Sequence, residues 1–128
     1  MAIVRIRQQA NDCLPCCIAM VLDESLENVM AWFEGRDYKD MRIAVEVLDA
    51  RGYTVEEVPN FGSAGGMRRI LTLVKEGEIE GHAVAVDDDE SIVDPQSTAT
   101  TKKYLLDYTY TGYRLQKVYV LKRKAISE

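Results

Sequence analysis

Apolar positions crowd the chain from Cys13 to Leu22, directly after the polar run Arg7 to Asp12. Cys17, Ile18, Val21 and Leu22 recur at helical spacing there, and Pro15 is tolerated in a first turn, where a missing N–H costs nothing. Asp23 and Glu24 break this helix. Ser25 is a good N-cap for a second helix over 26–33, with Leu26, Val29, Met30 and Phe33 on one side and Gly35 as its stop. A third helix is expected over 40–51, with Met41, Ala44, Val45 and Leu48 on one face and Gly52 at its C-terminal end. Alternation then predicts strands: a short edge strand over 2–6, another over 53–58 that stops at Pro59, and a final one over 112–121. Strands over 79–86 and 91–93 are joined by the acidic turn Asp87 to Glu90. The glycine-bearing stretch 60–66 reads as loop, 67–75 as a short helix, 98–107 as ambiguous, and the basic tail from Lys122 as frayed.

Helices first and an antiparallel meander last argue an α+β fold rather than alternating α/β. A length of 128 residues predicts one domain spanning 1–128. No apolar run nears the roughly 18 residues of a membrane span, and the N-terminus has no apolar core of export-signal length. A formal charge of −5 argues against a general nucleic-acid binder. All three cysteines fall between Cys13 and Cys17, so they cannot staple distant parts of the chain. Reduced thiols in a cytoplasmic setting are the expectation.

Cys13 stands where polar loop gives way to helix. Backbone amides and the positive end of the helix dipole beside a sulfur favour thiolate, the nucleophilic form. Only His82, at the start of His-Ala-Val-Ala-Val, can supply an imidazole to activate it. Asp94 ends the next strand in Ile-Val-Asp-Pro, and a hairpin through the acidic turn would bring it to His82 as an orienting acid. Gln8 and Gln9, five and four residues before Cys13, are candidate oxyanion donors beside the Cys13 amide. The acidic residues Glu78, Glu80 and Asp87 to Glu90 are expected to raise the pKa of His82 and to favour basic or neutral substrates. Trp32, Tyr104, Tyr108, Tyr110 and Tyr113 read mainly as packing.

Asn-Asp-Cys-Leu-Pro-Cys-Cys-Ile-Ala-Met-Val-Leu, from Asn11, resembles the nucleophile helix of the C39-like branch of papain-fold cysteine peptidases. Gly-His-Ala-Val-Ala-Val, an acidic turn and Ser-Ile-Val-Asp-Pro resemble that family's second signature. The resemblance implies a papain-like fold, Cys13 as nucleophile, His82 as general base and Asp94 as orienting acid, with no cofactor or metal. It further implies a peptide or other amide as substrate. The family's glutamine usually stands six residues before the cysteine, where this chain has Arg7. Gln8 takes that role if the loop is one residue shorter. Leu14 replaces the family's usual glycine, and its bulk is expected to narrow access.

Three other readings compete. A papain-like domain of a bacterium or phage kept only for binding a host protein would need no turnover. Cys13-Leu-Pro-Cys16 has the Cys-x-Pro-Cys form of a thiol–disulfide oxidoreductase, with Pro59 as the downstream proline. Cys13, Cys16, Cys17 and His82 add up to four metal ligands, although adjacent cysteines suit one tetrahedral site poorly.

Overall fold

The computed structural model describes residues 3–7, 12–78, 81–96 and 103–124. Helix α1 spans Cys13–Leu22, α2 Leu26–Trp32 and α3 Met41–Ala50, within a residue or two of the sequence expectation. The Ser25 hydroxyl caps α2 by accepting from the Asn28 N–H, and the Asp40 carboxylate caps α3 by accepting from the Arg42 N–H. Strands β1 (Tyr53–Val58), β2 (Arg69–Lys75), β3 (His82–Val86), β4 (Ile92–Val93) and β5 (Tyr113–Arg123) form one antiparallel sheet in the order β1-β5-β2-β3-β4. A short helix α4, Leu105–Tyr110, precedes β5.

This is an α+β arrangement, but the sheet is not the simple meander expected. Only β2, β3 and β4 follow one another, while β5 returns to lie between β1 and β2. A strand in that position must satisfy two neighbours, which explains why β5 extends beyond 121. Arg123 pairs with Tyr53 and Lys122 with Thr54, so 122–124 are held to the sheet rather than frayed. Lys122 also pairs with Glu56 at 2.7 Å, and the Lys124 N–H donates to the Gly52 carbonyl at 2.8 Å.

Two further expectations are corrected. Residues 3–7 form no strand, although the Ile3 N–H is tied to the buried Asp87 carboxylate at 2.8 Å. The stretch expected as a helix over 67–75 contains β2. Strand β2 is flanked on both edges and covered on both faces, so Arg69, Ile70, Leu71 and Leu73 are all buried. A strand buried on both faces loses its alternation and cannot be told from a buried helix by period alone. The β-branched residues Ile70, Thr72 and Val74 at every second position were the available signal.

Residues of β1, β2, β3 and β5, including Tyr53, Ile70, Ala85 and Tyr119, pack against α1, α2 and α3. On the opposite face Leu71, Val84, Val86 and Val118 pack with Ile92 and with Tyr108 of α4. Every residue of α1 from Leu14 to Val21 is buried. A helix apolar all round is one enclosed by the rest of the protein, and that enclosure fixes where its first residue sits. Among the described residues no helix is long and apolar enough to cross a membrane.

Arg69 is a charged residue inside this core, 0% exposed. Its guanidinium donates to the carbonyls of Met67 and Phe61, both at 2.8 Å, lies over the Phe61 ring at 4.9 Å and pairs with Glu90. Replacing Arg69 by Met leaves two carbonyls and Glu90 without their donor. The expected loss is about 3 kcal/mol, read as a lower urea midpoint with an unchanged slope.

Candidate active site

The N-terminus of α1 meets β3 at one point, and the strand explains why. The Asp87 N–H donates across the turn to the Ser91 carbonyl at 2.9 Å, so alternate N–H groups of β3, that of Ala83 included, face the β4 side. Strand β4 pairs with β3 at Ala85 and Val86 and no further toward Ala83. Among the described residues no strand covers the edge beside Ala83, and the Ala83 N–H lies near the Cys13 sulfur, where it favours the charged form. The Leu14 N–H, one of the helix-start donors with no intrahelical acceptor, lies beside the same sulfur and also favours its charged form.

His82 lies beside Cys13 and Asp94 behind His82. His82 Nε2 is 2.7 Å from Asp94 Oδ1, both side chains largely buried. With Nε2 so engaged, Nδ1 is the ring nitrogen left to hydrogen-bond Cys13. The Asp94 carboxylate is fixed by two more donors, the Gln96 N–H at 2.9 Å to Oδ1 and the Tyr108 hydroxyl at 2.5 Å to Oδ2. Cys13, His82 and Asp94 thus come together as expected. Gln8 and Gln9 lie outside the described residues.

The protonation states follow from these contacts. Burial pushes the Cys13 thiol up, but the His82 hydrogen bond and charge, with the Ala83 and Leu14 N–H groups, outweigh it and leave its pKa below that of a free cysteine. Burial alone would depress His82, yet Asp94 and Cys13 raise its pKa to about 9. Burial also works against the Asp94 carboxylate, but donation from His82, Tyr108 and the Gln96 N–H holds its pKa below the usual carboxylate value. All three shifts favour thiolate, imidazolium and carboxylate at neutral pH.

The rise at His82 has the expected direction but a different source. Asp87 to Glu90 sit at the far end of β3, about 13 Å along the strand, and do not line the cleft at Cys13. That cleft has a volume of about 690 Å³. Among the described residues its charged side chains besides His82 are Lys39, Lys117 and Glu78, and its apolar walls include Leu14, Met41 and Tyr113. Among those residues the lining is mixed in charge rather than acidic, and Glu80 lies outside the described residues. Leu14 is 6% exposed: most of its bulk lies in the core, and the remainder forms part of the cleft wall.

No protein-family model and no curated protein matches this chain.

Cys16 and Cys17 are fully buried in the core cluster beneath α1. Burial, then Asp12 and Cys13, pushes the Cys16 thiol up to about 12, and Cys17 is raised well above the ordinary cysteine value. A resolving thiol must be reachable and ionisable, which Cys16 is not. Among the described residues the three thiols and His82 do not converge on a common point, as one tetrahedral metal site would require. The residue that sequence reasoning passed over is Tyr108. It is the buried tyrosine of an aromatic-rich segment, and nothing in its spacing separates it from Tyr104 or Tyr110, which are exposed.

His82 is the chain's single histidine, so its imidazole resonances need no assignment. In an NMR titration the wild-type midpoint is expected near 9, falling toward the ordinary 6.5 in Asp94→Asn. A wild-type midpoint at or below 6.5 would contradict the charge arrangement.

Proposed function

We propose that this protein is a papain-like cysteine peptidase of the C39 type, or a related thiol acyl hydrolase, acting on a peptide or other amide. The observation that carries the reading is the line of side chains from Cys13 through His82 to Asp94, with His82 Nε2 at 2.7 Å from Asp94 Oδ1 and with His82 and two backbone N–H groups lowering the Cys13 pKa. A structural cysteine needs none of these. Their joint effect is to hold a thiolate beside a proton donor, which is what nucleophilic attack followed by leaving-group protonation requires.

In the proposed reaction the Cys13 thiolate attacks the substrate carbonyl carbon while His82 carries the proton. The carbonyl electrons move to oxygen, and the oxyanion is met by the Cys13 N–H at the helix start and by the side-chain amide of Gln8. Collapse of the tetrahedral species expels the amine, which takes the proton from His82, and leaves a thioester on Cys13. A water molecule gives its proton to His82 and attacks the thioester, and Cys13 leaves as thiolate. Asp94 holds the imidazole orientation and stabilises its charge throughout.

Alkylation with iodoacetamide tests the nucleophile without knowledge of the substrate. Cys13 is expected to react rapidly at neutral pH and about a hundredfold more slowly or worse in His82→Ala. Cys16→Ser is expected to leave the rate unchanged, whereas an oxidoreductase would lose its activity. Against a panel of peptide amides, Gln8→Ala is expected to lower turnover about a hundredfold or more while leaving alkylation intact. Slow alkylation indifferent to His82 would refute the proposal.

A further inference from the structure

Tyr108 stands outside the residues that the proposed reaction names, yet it is bound to one of them, Asp94, in the core. Its hydroxyl donates to Asp94 Oδ2 at 2.5 Å, the oxygen that His82 does not use. Tyr108 is 6% exposed and Asp94 likewise 6%, so the contact is largely shielded from bulk water. The ring is held by an edge-on contact with Tyr113, centroids 5.7 Å apart, and by Lys103 Nζ at 5.6 Å. A phenol that only filled space would have no reason to aim its hydroxyl at a buried carboxylate.

We propose that Tyr108 is a positioning residue, a fourth member of the line Cys13–His82–Asp94–Tyr108 that keeps Asp94 ionised and oriented. The inference rests on the cysteine-nucleophile reading and adds a residue that acts through Asp94 without touching substrate. Donation to Oδ2 takes up charge on the carboxylate and fixes its plane, so Oδ1 is presented to His82 Nε2 in one orientation. A carboxylate buried with only one partner would instead take up a proton and lose its hold on the imidazolium.

The charged and titratable groups around this line come from every element packed on it. Cys13 and Cys17 face it from α1, His82 from β3, Lys103 from the segment before α4, Tyr113 from β5 and Arg5 from the N-terminal segment. Burial and the Asp94 charge push the Tyr108 phenol upward, so it stays a proton donor across the range in which the thiolate exists.

The test is the pH profile of Cys13 alkylation by iodoacetamide in wild type and Tyr108→Phe, which keeps the ring and removes the donor. The low-pH limb is expected to move up by about one pH unit, the scale of one hydrogen bond to a charge. In an Asp94→Asn background the same substitution is expected to move nothing further. An unchanged limb in Tyr108→Phe, with a wild-type rate that still depends on His82, overturns the role of Tyr108 alone. A wild-type rate independent of His82 overturns the cysteine-nucleophile reading instead. Should Tyr108→Phe not fold, the wild type carries the test. A far-downfield, exchange-protected hydroxyl proton that moves as His82 titrates supports the link, and its absence overturns it.

Discussion

The site depends on a gap in the sheet. Strand β4 is two residues long, and the β3 backbone at Ala83 is left with a donor that no strand among the described residues takes. Helix α1, buried along nearly its whole length, cannot slide or turn without opening the core, so its first residue is held against that donor. Had β4 extended by two more residues, the Ala83 N–H would have been used in the ladder. The sulfur of Cys13 would then have lost one of the dipoles that favours its charged form.

From that contact the charge pattern runs inward. Cys13 faces His82, His82 meets the Asp94 carboxylate, and the carboxylate meets a phenol and a backbone N–H. Each buried charge has a neighbour of opposite sign or a donor, the condition under which burial strengthens an ionic arrangement instead of neutralising it. Distance decides which charges matter. Asp94 at 2.7 Å in a buried setting governs His82, while the acidic turn beyond the far end of β3 is separated from it by more than a Debye length.

Much of this was legible in the sequence, where local rules apply. The boundary at Cys13, the Ser25 cap and the strand Tyr53–Val58 follow from short-range signals of period and capping, while the pairing of His82 with Asp94 needed the family resemblance as well as the hairpin turn. What escaped is non-local. The strand at Arg69–Lys75 is hidden because its burial comes from β3, β5 and both covering layers. The insertion of β5 between β1 and β2 is a matter of topology that no local pattern states. Tyr108 is invisible for the same reason, since its role is set by a carboxylate fourteen residues away. The acidic turn misled in the opposite sense, being close to His82 in sequence but displaced along an extended strand.

The central claim is that Cys13, alone among the three thiols, has its pKa lowered. Ultraviolet thiolate absorbance of the folded protein measures this directly. One thiolate per molecule is expected to appear below the ordinary cysteine range as pH rises, to be lost in Cys13→Ala and to be kept in Cys16→Ser. A folded wild-type protein with no thiolate until pH approaches the ordinary cysteine range would contradict the account.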